Sequence, residues 1–215
     1  MRNKRFKEYF LLSLILALIL FICFLPYSIN FLSHNTYSAN NTFMIKNDWI
    51  LQHTSFYQEF FRTLDNGYIG WSWNFLFGSD ILASKSSLYF IGDIYALLAY
   101  GIYKIIHYVP STLFIITVFK IYISGITFNL FLEKHKISFS IRILLSIAFM
   151  LSGWTLIFME HPLFISFYTF LPLVLAGLEN ILQKKKNTLF IISSTLMLMT
   201  SYYFSWSFFI YILLY

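Results

Sequence analysis

With nine Asp and Glu, fifteen Lys and Arg and five His in 215 residues, the side chains able to do acid–base or electrostatic chemistry can be taken one by one. The stretch from Asn47 to Leu64, NDWILQHTSFYQEFFRTL, spaces Asp48, Gln52, Ser55, Glu59 and Arg62 at steps of four, three, four and three, which is one polar stripe on a helix. Asn47 is placed to cap this helix, and Asp48 lies in its first turn, where the backbone dipole favours a carboxylate. Trp49, Ile50, Phe56, Phe60 and Leu64 cover much of the rest, so the expected helix lies on a membrane surface with its aromatic side down. Glu59 reads most simply as part of the solvated face, paired with Arg62 at i,i+3. Asp48 stands apart as a carboxylate that starts a helix at headgroup depth, beside Trp49 and Gln52.

Downstream of a turn at Asp65-Asn66-Gly67 come Trp71-Ser72-Trp73-Asn74 and Gly78-Ser79-Asp80. Paired tryptophans commonly form an interfacial belt. They also suit sugar sites, because aromatic rings stack on the apolar faces of pyranoses. Lys120 falls near the middle of a long apolar run, where a charge is a functional hypothesis by default. Its expected partner is a buried carboxylate or a phosphate; Asp93 and an anionic lipid head are both candidates, and a purely structural ion pair fits equally well. Glu160 and His161 occupy a tight turn between two apolar runs. With Asp48 they could hold a divalent cation, but no HExxH-like spacing supports it, and no metal or other cofactor is assigned. Asn40-Asn41-Thr42 matches a glycosylation acceptor by pattern only, and Glu179 neutralises charge beside Lys184, Lys185 and Lys186.

The elements that must position these residues follow from composition. The chain is 59% hydrophobic, 22% aromatic and 11% charged, with mean hydropathy +0.70. A soluble domain carries about 25% charged residues, so soluble enzymes are excluded. The net charge of +6 is membrane-topology charge and not a nucleic-acid footprint. Cys23, the single cysteine, sits inside an apolar run and offers neither a disulfide framework nor a metal site.

Apolar runs long enough to cross about 30 Å of hydrocarbon extend from Phe10 to Ile29, Ser111 to Leu132, Ile143 to Met159, Leu163 to Leu182, and Thr188 to about Ser207. The first is preceded by Arg2, Lys4, Arg5 and Lys7 and lacks a small-x-small cleavage site, so it is a retained helix. Lys134, Lys136 and Arg142 mark one cytoplasmic connector and Lys184 to Lys186 another. The Glu160-His161-Pro162 turn and the segment from Asn30 to Ser87 then lie outside. The run from Leu88 to Tyr108 holds Asp93, Lys104 and His107, and reading it as a span would place three cations outside. It is expected to be an interfacial or re-entrant helix, a true span with reversed loops being the alternative. The organisation expected is a cytoplasmic N-terminus and first transmembrane helix over 1–30, an extracytoplasmic loop with amphipathic and re-entrant helices over 31–110, and about four transmembrane helices over 111–215. The chain stops mid-run at Ile-Leu-Leu-Tyr and reads as the N-terminal part of something longer.

Taken in order, Asp48-Trp49-x-x-Gln52, Gly70-Trp71-Ser72-Trp73-Asn74, Gly78-Ser79-Asp80, Glu160-His161-Pro162, Leu171-Pro172-Leu173, Gly177-Leu178-Glu179 and Tyr202-Tyr203-Phe204 resemble the YfhO-type bacterial membrane proteins, of the GT-C class of polytopic glycosyltransferases. The resemblance covers roughly Asp48 to the C-terminal end. It implies an all-α, GT-C-like polytopic transmembrane helix bundle with a large first extracytoplasmic loop containing interfacial helices. It further implies transfer of a sugar from a polyprenyl-phosphate donor to an extracytoplasmic cell-envelope acceptor of teichoic or lipoteichoic acid type. Asp48 occupies the place of the catalytic base, with Gln52, Trp71, Trp73, Asp80, Lys120 and His161 as substrate-binding candidates. Gly92-Asp93-Ile94 departs from the Ser-Pro-Phe-like turn expected there. An inverting displacement needs one carboxylate to take the acceptor's hydroxyl proton and a fixed cation for the leaving phosphate. Arg62, Lys85 or Lys120 could supply that cation, Lys120 best because low dielectric strengthens the interaction. A transporter or flippase-like protein for lipid-linked sugars, using Lys120 and Asp93 as an intramembrane pair, is the alternative; a non-catalytic envelope scaffold is the third reading.

Overall fold

The computed structural model describes residues 2–32, 49–67, 71–73, 78–80 and 93–214. Asp48, Lys85 and the Asn40-Asn41-Thr42 triplet lie outside the described residues. Helix dominates. Helix α1 covers Arg2–Leu32, a π-helical turn covers Trp49–Thr54, and α2 covers Ser55–Asp65. Strands β1 (Trp71–Ser72) and β2 (Ser79–Asp80) pair antiparallel, Trp71 opposite Asp80. Then follow α3 (Ile94–Ile106), α4 (Val109–Glu133), α5 (Phe139–Met150), α6 (Gly153–Phe158), α7 (Pro162–Leu182), α8 (Thr188–Thr200) and α9 (Tyr202–Leu214).

Helix α4 is the hub, packed by α1, α3, α5, α7 and the π-helical turn. Its hydrophobicity runs all round, as a helix wrapped by others requires. In α1 the buried residues Leu12, Leu16, Leu20 and Phe24 recur every four positions, while Phe10, Leu14, Leu18, Phe21 and Ile22 are exposed. That is one protein-facing stripe on a helix otherwise turned to lipid. Small residues set the close approaches. A Cβ on Gly125 of α4 would stand 2.9 Å from Leu16, and one on Gly177 of α7 would stand 2.5 Å from the backbone of Phe190 in α8.

Among the described residues four stretches are long and apolar enough to span: Arg5–Ser28, Val109–Glu133, Phe139–Phe158 and Pro162–Leu182. Two of the expected continuous runs are broken. The Ile143–Met159 run turns at Leu151 and Ser152, where Tyr168 donates to the Phe149 carbonyl at 3.0 Å and meets Ser152 Oγ at 2.8 Å. The run from Thr188 breaks at Ser201, where Ser205 Oγ donates to the Met197 carbonyl at 2.7 Å. Each carbonyl also accepts a backbone N–H, Phe149 from Ser152 at 3.2 Å and Met197 from Ser201 at 3.1 Å, so the hydroxyls add a second bond at each break. Within the Leu88–Tyr108 run, α3 has 13 residues, about 20 Å at 1.5 Å per residue, which is short of the hydrocarbon thickness.

The expected surface helix also differs. Its aromatic face does not meet lipid: Trp49, Tyr57, Phe60 and Phe61 are buried, with Phe61 stacked on Tyr103 of α3 at 4.7 Å between centroids. Four aromatics on one face gain more by packing against another helix than by lying at an interface.

Candidate functional site

Three polar clusters among the described residues concern the site: two where the starts of α3 and α7 meet the middle of α4 and the π-helical turn, and one between α2 and the ladder. In the first, Lys120 and Asp93 both have 0% side-chain exposure, and Lys120 Nζ donates to Asp93 Oδ2 at 2.7 Å and to the Pro162 carbonyl at 3.0 Å. Asp93 is the N-cap of α3, accepting from the Tyr95 N–H at 3.0 Å, and also accepts from Ser166 Oγ at 2.8 Å. The ring of Tyr95 lies 5.1 Å from the Lys120 ammonium. Pro162 is the first residue of α7 and its carbonyl is drawn inward by Lys120, so one buried pair fixes where α3, α4 and α7 meet. Burial of both charges costs several kcal/mol, offset by the pair and by the hydrogen bonds that fill its remaining positions.

The second cluster lies next to the first in sequence, at the Glu160-His161-Pro162 turn. His53 Nε2 and His161 Nδ1 are 3.0 Å apart, with the rings nearly perpendicular at 87°. Glu160 Oε1 stands 3.5 Å from His161 Nε2. A carboxylate there favours a proton on His161 Nε2, leaving Nδ1 to accept from His53 Nε2–H. His53 is fully buried, and its pKa is lowered to about 3 by burial first, then by His161 and Lys120. It is a neutral imidazole at any physiological pH. Among the described residues no three His, Cys, Asp or Glu side chains gather as a metal site.

The third cluster ties α2 to the small ladder. Arg62 donates to both oxygens of Glu59, at 2.9 and 2.6 Å, and Ser72 Oγ donates to Glu59 Oε1 at 2.5 Å. The expected Glu59–Arg62 pair is present, but Glu59 is buried where a solvated carboxylate is expected. The Arg62 guanidinium holds its pKa below the usual carboxylate value, against desolvation. Beside it Trp71 and Trp73 are 50% and 77% exposed, with centroids 5.5 Å apart at 76°. Both rings sit over Gly78, whose φ is +96° and whose added Cβ would stand 2.8 Å from Trp73.

The predicted residues therefore divide into groups. Trp71, Trp73 and the backbone of Asp80 share the ladder; Lys120 and His161 belong to the two clusters where α4 and α7 meet; Gln52 is half-buried on the π-helical turn. Asp48 precedes Trp49, the buried first residue of that turn. His53, Ser72 and Ser166 escape sequence reasoning. The only signal for His53 is its place beside Gln52, on a face otherwise apolar.

The described helices, buried intramembrane ion pair and lipid-facing leucines define an all-α polytopic membrane protein. The chain belongs to the YfhO family: the family model described as "Bacterial membrane protein YfhO" matches residues 3–215. Comparison with curated proteins and with solved structures gives no match.

Proposed function

We propose that the protein is a GT-C-like membrane glycosyltransferase that moves a sugar from a polyprenyl-phosphate donor to an extracytoplasmic cell-envelope acceptor. Family membership supports the transferase class. The observation that carries the site assignment is the docking of the Trp49–Thr54 turn on α4, with His53 against His161. It holds the chain segment that follows Asp48 at the Glu160-His161-Pro162 end of the bundle, the end the charge rule places outside.

In this reading Asp48 accepts the proton of the attacking hydroxyl as the bond from sugar to lipid phosphate breaks. Trp71 and Trp73 offer exposed rings for a pyranose, and Gln52, Asp80 and His161 take sugar hydroxyls. Lys120 is enclosed with Asp93, so contact with a donor phosphate requires that pair to open; closed, it positions the start of α7 and hence His161. Arg62, half exposed, is the described cation nearest the ladder in sequence.

The buried Lys120–Asp93 pair favours a second reading, a transporter of lipid-linked sugars. Labelled donor in proteoliposomes separates the two: the transferase reading predicts labelled product on an added acceptor with no donor crossing, and donor crossing without product would support transport instead.

A further inference from the structure

At the opposite end of the bundle a cavity of about 720 Å³ opens between α1, α4, α7 and the start of α8. Arg5, Lys134, Lys136 and Lys185 line it, with Glu133 as the one carboxylate and Gln183 beside them. Glu133 is already engaged, accepting from Arg5 Nη2 at 2.9 Å and from the Tyr9 hydroxyl at 2.5 Å. The lysines are not neutralised. Lys134 Nζ donates to Asn180 Oδ1 at 2.9 Å and Lys185 Nζ to Gln183 Oε1 at 2.7 Å, both uncharged acceptors. The Lys136 side chain has no hydrogen bond or ion pair among the described residues; its backbone N–H donates to the Glu133 carbonyl at 3.4 Å, with φ +57°. Three ammonium groups therefore face one cavity without a counter-charge.

We infer that this cavity binds the headgroup of an anionic phospholipid. The shared chemistry, a phosphate held by lysines, would suit a free phosphate as well, but two features point to lipid. The cavity is far larger than one phosphate, and leucines of α4, α7 and α8 form its inner wall, continuing into helices at hydrocarbon depth. A headgroup phosphate enters among the lysines while its glycerol and acyl stems follow the leucine wall. Basic pockets between transmembrane helices at a membrane surface are suited to such lipids, each lysine contributing about 1 kcal/mol, a figure that converts to roughly fivefold in affinity. The inference stands independently of the transferase reading.

Native mass spectrometry of the protein in neutral detergent, supplied with phosphatidylglycerol or phosphatidylcholine, tests it. One phosphatidylglycerol is expected to be retained and phosphatidylcholine lost. Lys134→Gln with Lys185→Gln should weaken retention about thirtyfold, the product of two such factors. Lys136→Gln, which removes no side-chain hydrogen bond or ion pair, should weaken it about fivefold. Lys7→Gln with Lys186→Gln, the same change of charge outside the cavity, should leave it unaltered. Equal retention of both lipids, equal retention by the cavity and control variants, or displacement of the lipid by millimolar inorganic phosphate would each overturn the inference.

Discussion

At the scale of single residues, the account rests on groups whose charge is fixed by what surrounds them. Lys120→Met leaves the Asp93 carboxylate buried without its cation and is expected to cost about 3–5 kcal/mol of stability. Adding Asp93→Asn removes the stranded charge but keeps a side-chain oxygen for the α3 N-cap, so the double variant should recover half or more of that loss in chemical unfolding. His53 gives a pH prediction. Its folded pKa is about 3 against an ordinary 6.5, so between those values the unfolded chain binds a proton that the folded chain refuses. Stability is complete above about pH 6.5 and falls on acidification, by up to about 1.4 kcal/mol per pH unit. Glu59, also lowered, loses its stabilisation only at more acid pH, as it protonates near and below its ordinary value of 4.5. The window from pH 6.5 to 5 lies above the range where Glu59 protonates, and in unfolding measured across it His53→Asn should flatten the slope. Asp93 was legible as one candidate partner of Lys120, beside an anionic lipid head, because a charge at hydrocarbon depth needs a counter-charge. The His53–His161 contact was not, since the residues are 108 apart and a neutral histidine looks apolar.

At the scale of elements, small residues and hydroxyls decide the packing. Gly177→Ala must push α7 from α8, because a Cβ there would lie 2.5 Å from the Phe190 backbone; the expected cost is about 1–3 kcal/mol. Gly101→Ala on α3 meets open space and should be neutral or stabilising by up to about 1 kcal/mol. Thermal unfolding of the two variants side by side checks the contrast. The long helices were readable from run length and from the lysines in the connectors. The breaks at Ser152 and Ser201 were hidden, because neither carries a proline and both lie inside continuous apolar runs, with Tyr168 and Ser205 reaching the Phe149 and Met197 carbonyls across the turn. The aromatic face of α2 was read correctly as apolar and incorrectly as lipid-facing; periodicity reports that a face is buried, not what buries it.

At the scale of the whole molecule, the charge distribution gives the protein a direction. Lysine-rich connectors flank the ends of α4 and α7 at one surface, and the histidine and tryptophan clusters lie with the loops assigned to the other. In a Cys23→Ser background, a membrane-impermeant maleimide is expected to label Trp73→Cys in intact cells and to spare Gln183→Cys until the membrane is opened. In the proposed reading a lipid-linked sugar donor binds at the histidine end, where the segment following Asp48 is anchored by Trp49 and His53. The most direct measurement is transfer from radiolabelled polyprenyl-phosphate sugar to an envelope acceptor, in membranes carrying wild-type protein or Asp48→Asn at equal levels. The account predicts transfer by the wild type and a loss of 100-fold or more, on the order of what a general base contributes, in Asp48→Asn with donor binding retained. Unchanged transfer by Asp48→Asn would contradict it.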